Sequence, residues 1–297
     1  MSALAAPAHV PEPIRQAIVA ARPEFARSTF SVAGRGWHSL AVDVDGAWIC
    51  KFPQGEEAEQ ALRREAQVLH AVRPLLTMPV PDMTLHPGPP LFSMHRTLPG
   101  RDLEQSGYAR LDEDARNRLA AGLALFFAEL HAVPLSRMRT AGAEPIGVWE
   151  TGDAALQPVW GLLPDSVRER AQRALQAYRA RGADPLGEVY GFFDAHGWNM
   201  AFDHDAGRLN GVFDFADSGI GPLHREFVPV SLVDPDLAAR SAGAYEALTG
   251  KVLDRSRIFA LTAAMRLSEL AGAIETGERV PETRAIVVDW FAQREIR

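Results

Sequence analysis

The chain has 297 residues, more than one core of ordinary size holds, so two structural units are the first expectation. Hydrophobic residues at 47%, charged residues at 23% and a mean hydropathy of −0.10 exclude a membrane-embedded chain, and the most apolar stretch, Leu119 to Leu130, is too short to cross a bilayer and carries Glu129. With 31 basic against 38 acidic residues, a net charge of −7 and no basic block, nucleic acid and anionic membrane are excluded as main partners.

Charge is unevenly spread. Residues 1–100 are balanced, so the whole acidic excess lies beyond residue 100. Lys51 and Lys251 are the only lysines in a chain that otherwise uses arginine. Cys50 is the only cysteine and stands in an apolar run, so no intramolecular disulfide forms and no thiol chemistry is expected of it. The apolar start is interrupted by Pro7, Pro11 and Pro13 without a basic segment before it, which does not read as a signal peptide. These features fit a cytoplasmic protein. Oligomeric state is left open.

In chain order, Gly34-Arg-Gly36 with Ser39 precedes an alternating strand, Leu40 to Val44. Asp45-Gly46 makes a tight hairpin turn and Ala47 to Phe52 returns. A helix follows over Glu56 to Val72, with Ala61, Leu62, Val68, Leu69 and Val72 as its apolar stripe. A proline-rich passage from Pro74 to Pro90 leads to a strand at Leu91 to Met94, and Pro99-Gly100 breaks the pattern. Helical periodicity then dominates near 112–132, 164–180, 236–249, 256–275 and 282–295. An extended, glycine-punctuated region from Val189 to Phe215 interrupts it. The layout is α+β and two-lobed: a small antiparallel-sheet N-lobe with one helix over 1–97, and a larger, mainly helical C-lobe over 98–297. A cleft between lobes is where a ligand would sit.

The chemistry concentrates in that extended region. Met200 to Asp203 and Leu209 to Phe213 read as a hairpin whose facing residue numbers sum to about 413, which sets Asn199 opposite Asp214 at its open mouth. Asp194 enters the same place from the preceding loop. Two carboxylates and an amide in apolar surroundings call for a hard divalent cation, and magnesium brings a nucleoside triphosphate with it. Asp-x4-Asn followed about fifteen residues on by Asp-Phe is a phosphoryl-transfer spacing. Asp203 and Asp205 read as turn residues. Independently, Glu65 falls inside the apolar stripe of its helix and needs a cation, which Lys51 on the preceding strand supplies. No nucleophile elbow, His-Glu-x-x-His motif or cysteine nucleophile supports a hydrolase.

Together, Gly34-Arg-Gly-Trp-His-Ser39, Asp45 to Pro53, Arg64-Glu65, Leu98-Pro-Gly100, Leu130-His131, Phe193 to Asn199 and Gly211 to Gly221 resemble the aminoglycoside phosphotransferase family, relatives of the choline kinases with a protein-kinase-like fold. The resemblance runs from about Phe30 to Phe227. It implies that Asp194 is the catalytic base and that Asn199 and Asp214 hold magnesium. It makes Lys51 the phosphate lysine oriented by Glu65. The Gly34–Ser39 loop would cover the phosphates, and segment 93–97, with Met94 and His95, would receive the base of ATP or GTP through its backbone. The acceptor is expected to be a small hydroxylated molecule, an amine such as an aminoglycoside being favoured by the acidic C-lobe.

This chain departs from the family pattern at two points. Phe192 stands where a histidine is usual, two residues before Asp194, and a nucleotide-binding pseudokinase acting as a regulatory module is the alternative that this motivates. Gly221-Pro-Leu-His-Arg-Glu226 replaces the usual Asp-Pro run, with Glu226 as a substitute acid to tie down the catalytic loop.

Overall fold

The structure, a computed structural model, describes residues 9–35 and 39–292. The polypeptide first forms helix α1 (Glu12–Ala21) and then strand β1 (Phe30–Arg35), β2 (Ser39–Val44) and β3 (Trp48–Pro53). Between β2 and β3, Asp45 and Gly46 both take positive φ, 57° and 68°, as a two-residue hairpin turn of matching twist requires. The Asp43 carboxylate accepts the Gly46 N–H at 2.6 Å and closes the turn. Helix α2 (Glu56–Val72) follows, with three glutamates in its first turn where the helix dipole favours them. Strands β4 (Thr84–His86) and β5 (Phe92–Arg96) complete an antiparallel sheet of order β1-β2-β3-β5-β4.

Alternation gives this sheet two unlike faces. Leu40, Val42, Val44, Cys50, Phe52, Phe92 and Met94 form a core with Val10, Ile18 and Phe25 on one face. Each large side chain there contributes about 1.5–3 kcal/mol by leaving water. Helix α1 belongs to this core and adds to the one helix the sequence implied for this half. Lys51, opposite Ser93 on β5, points to the other face.

Helix α2 joins the two halves. Its Val68, Leu69 and Val72 are buried in the large core of the helical half, with Leu119, Leu123, Phe126, Phe127 and Tyr190, and not in the sheet's own core.

Beyond Arg96 come α3 (Gln105–Ala109), α4 (Glu113–His131), α5 (Leu135–Thr140), α6 (Asp153–Leu162) and α7 (Asp165–Arg179). Asp112 caps α4 by accepting the Ala115 N–H at 2.7 Å. Two short strand pairs then interrupt the helices: β6 (Glu188–Gly191) with β9 (Gly219–Pro222), and β7 (Met200–Asp203) with β8 (Arg208–Val212). The chain ends in α8 (Phe227–Val233), α9 (Pro235–Thr249), α10 (Arg255–Thr276) and α11 (Val280–Ala292). Helices α4 and α9 pack together, whereas α10 packs against α6, α7 and α11 around Leu156, Leu267, Leu270 and Phe291. Among the described residues no helix is long and apolar enough to cross a membrane.

Candidate active site

Three local structures converge between the sheet and the helical half. The first is the pair from the sheet. Lys51 Nζ lies 3.1 Å from Glu65 Oε2 and 2.8 Å from Asp214 Oδ1, so one ammonium links strand, helix and the distant loop. Burial pulls the Lys51 ammonium down, but Glu65 and Asp214 outweigh it and hold the group above the ordinary lysine value. Burial pushes the Glu65 carboxyl up, against the opposing pull of Lys51 and of the Phe215 N–H, which Glu65 Oε1 accepts at 3.1 Å. Removing Lys51 would leave the buried Glu65 carboxylate without its cation, at a cost of about 3–5 kcal/mol.

The second structure is the β7–β8 hairpin. Met200 pairs with Val212 and Ala201 with Gly211, and a bulge then shifts Phe202 onto Leu209 and Asp203 onto Arg208. Facing numbers therefore sum to 412 and then 411, one or two less than the spacing suggested. At the mouth, the Phe213 N–H donates to the Asn199 carbonyl at 3.0 Å, which sets Asp214 beside Asn199. Asp203 Oδ1 accepts the N–H groups of Asp205 and Ala206, the turn role expected of it.

The third is the loop from Phe192 to Asn199. Asn199 Nδ2 donates to Asp194 Oδ2 at 2.6 Å and to the Asp194 carbonyl at 3.1 Å, and His196 Nε2 lies 3.3 Å from Asp194 Oδ1. Phe193 and Asp214 both take left-handed backbone, φ 56° and 66°, at a cost of about 1–3 kcal/mol each. Strain therefore falls on the residue before Asp194 and on Asp214 itself.

Glu226 holds the loop from behind. It is fully buried, and its two oxygens accept the N–H of Phe193 at 2.8 Å and of Phe192 at 3.1 Å. His131 Nε2 lies 3.1 Å from Glu226 Oε2, and His131 Nδ1 lies 2.8 Å from the Tyr245 hydroxyl. Gly191 is obligatory here because a Cβ would sit 2.0 Å from Glu226 Oε2. Phe192 fills the place of the usual histidine with packing: it is fully buried, 4.8 Å from the Phe215 ring and 5.7 Å from that of Phe126. The expectation for Glu226 thus has a matching geometry, and the link from His131 to Tyr245 was not foreseen; a histidine in the last turn of an apolar helix was the only signal.

Asp217 was also missed, although it follows Asp214 by three residues on the same turn. Burial, and then the Asp194 and Asp214 carboxylates, raise its carboxyl above the ordinary value.

The other expected contacts divide. Gly34 lies in β1 beside a register shift and Ser39 opens β2, while Gly36 lies outside the described residues. The Met94 side chain faces Cys50 in the sheet's far core and is 2% exposed, so only its backbone is left for the contact expected of it. Both Ser93 and Met94 are paired with β3 on one side and β4 on the other, and the edge toward β4 opens only from His95 onward. His95 lies on the Lys51 face, and burial lowers its ring below the ordinary histidine value.

The donor set suits a hard cation. The amide nitrogen of Asn199 is committed to Asp194, which leaves its oxygen and the Asp214 carboxylate as donors. Among the described residues no group of three or more His, Cys, Asp or Glu side chains forms a metal cage.

Taken together, a Lys–Glu pair on a five-stranded sheet and an Asp-x4-Asn loop beside a left-handed Asp define a small-molecule kinase of the two-lobed type. The chain belongs to the phosphotransferase enzyme family, APH, whose profile matches residues 29–259. The GDP and kanamycin complex of APH(2")-IIIa is similar in fold, with a TM-score of 0.80 and 20% identity over 96% of this chain and 100% of that one. The macrolide 2'-phosphotransferase type I has a TM-score of 0.64 and 20% identity over 98% and 100%. An apoenzyme macrolide 2'-phosphotransferase from Brachybacterium faecium has 0.64 and 18% over 97% and 100%. No curated protein sequence matches the chain.

Proposed function

We propose that the chain transfers the γ-phosphoryl group of ATP or GTP, with magnesium, to a hydroxyl of a small molecule. The observation that carries this reading is the single array in which Lys51 bridges Glu65 and Asp214 while Asn199 engages Asp194. Lys51 would neutralise the nucleotide's phosphates, with Glu65 fixing its ammonium. Asn199 and Asp214 would hold magnesium, which supplies charge neutralisation at the phosphates when bound. Asp194 would orient the acceptor hydroxyl and take its proton as the new O–P bond forms. His95 to Thr97 would receive the nucleotide base, since the sheet edge is open there.

Nucleotide binding is supported by relatives described as GDP and ADP complexes. An aminated acceptor is supported by the acidic C-lobe and by the clustering of Asp194, Asp214 and Asp217 around one lysine. The relatives divide, some being described with kanamycin, gentamicin or streptomycin and others as macrolide enzymes. The deciding experiment measures nucleoside diphosphate release over an acceptor panel with and without magnesium. Magnesium-dependent, acceptor-stimulated release is expected. Nucleotide binding without release for any acceptor would favour the pseudokinase reading instead.

A further inference from the structure

The sheet face turned away from Lys51 holds a pocket of about 300 Å³ between β3, β4, β5 and the end of α1. The register places its walls: Trp48 opposite Arg96, Cys50 opposite Met94, and Met94 opposite Thr84, all on the face one residue out of phase with Lys51. Sheet thickness therefore separates this pocket from the cleft.

Its charge is lopsided. Arg96 stacks on the Trp48 ring at 4.4 Å and Arg22 approaches the same ring at 5.0 Å. Arg96 makes no ion pair among the described residues. Arg22 engages Glu24 through Nε alone, at 2.6 Å. The one carboxylate lining the pocket, Asp82, is already paired with Arg73 at 3.1 Å. His86 adds a ring nitrogen pair and stacks on Phe92 at 4.5 Å.

A guanidinium that lies on an aromatic ring spends its face on that contact and keeps its in-plane N–H donors. Two such groups ordered by one indole form a preset fork for an oxyanion, and stacking has already met part of the entropy cost of holding them. Because Trp48 is occupied by the arginines, an aromatic ligand has less to gain here than a compact anion. We propose that this pocket is a second binding site, for a compact phosphate-type oxyanion, distinct from the nucleotide cleft.

The test titrates inorganic phosphate and, separately, glycerol 3-phosphate into the full chain at constant ionic strength by calorimetry. Wild type is compared with Arg22→Gln/Arg96→Gln, with Thr84→Glu and with Lys51→Ala. The double variant is expected to weaken binding by at least about tenfold. Thr84→Glu, which keeps the arginine–indole packing and places a carboxylate at an exposed lining position, is expected to do the same. Lys51→Ala should retain the binding, because the cleft is not the site. Binding of either ligand with this pattern supports the proposal and identifies whether free phosphate or a phosphomonoester is preferred. No binding to wild type at millimolar anion, or binding lost with Lys51→Ala and kept in Thr84→Glu, would overturn it.

Discussion

Asp194 carries the sharpest expectation at the scale of single residues. Its carboxylate is fixed by Asn199 on one oxygen and flanked by His196 on the other, so an amide in its place preserves shape and removes the base. Asp194→Asn should lower kcat by about 10²–10⁴ while nucleotide affinity, measured by calorimetry, stays near wild type. Unchanged turnover would show that the proton goes elsewhere. Cys50 provides a pH-dependent expectation of a different kind. Burial first, and the Asp43 carboxylate second, push its thiol up to about 12 from an ordinary 9.0. Between those values the unfolded chain has lost a proton that the folded chain keeps, so stability falls as pH rises above 9.0 and is unaffected by this group below it. The native thiol should resist alkylation at pH 8 and react at once in denaturant; fast labelling of native protein would contradict its placement in the core. The positions of both were legible from sequence, Asp194 beside Asn199 from its spacing and Cys50 in the core from its apolar run. The face of the sheet that Met94 occupies was not, because it depends on pairing with Cys50 and no local pattern encodes that.

The elements that position the site depend on loops held by buried acids. Glu226 reads the catalytic loop through two amides, and both its oxygens are used. Glu226→Gln would set an N–H against one of those amides, leaving a buried donor unmatched at about 1–3 kcal/mol. A loop displaced by even an ångström should cost on the order of 10² in kcat, with little change in nucleotide affinity. Stopped-flow turnover together with nucleotide titration separates this positioning role from simple loss of fold, which would lower both. The hairpin makes a parallel expectation. Asp214→Ala should remove magnesium-dependent nucleotide binding, whereas Asp203→Ala and Asp205→Ala, at the far turn, should leave it intact. Equal losses at all three positions would mean that the mouth of the hairpin is not the metal site. Element by element, strong local codes were readable: the Asp-Gly turn, the strands beside it and the span of α2 stand where pattern and turn chemistry put them. What escaped was short or flanked by proline. Helix α1 begins just after Pro11 and has only one fully buried residue, while α3, α5 and α8 have seven residues or fewer, too few turns for a period to show.

For the whole molecule, charge and architecture bear jointly on which acceptor arrives at Asp194. The sheet half is balanced and all of the −7 lies beyond residue 100, in the half that supplies the catalytic loop. Carboxylates in exposed pairs, such as Glu113 with Arg240 and Asp153 with Arg179, are already cancelled in that net count and contribute little to a long-range field. The carboxylates that matter are those in the cleft. Asp214 is balanced by Lys51, Glu65 shares that same ammonium, and Asp217 resists ionisation because it is buried and, secondly, because Asp194 and Asp214 stand near it. An ammonium on the acceptor would relieve this excess, and magnesium on Asp214 would relieve only part of it. Steering of this kind acts on association and fades as salt screens it. Aminoglycosides should therefore show second-order rate constants that fall steeply with ionic strength, choline-like alcohols a weaker slope in keeping with a single charge, and neutral macrolides or sugars almost none. Measuring kcat/KM for each class from low to high salt decides the matter. A neutral acceptor that outpaces every amine with a flat salt profile would overturn the electrostatic choice of substrate and leave phosphoryl transfer through Lys51, Asp194, Asn199 and Asp214 untouched.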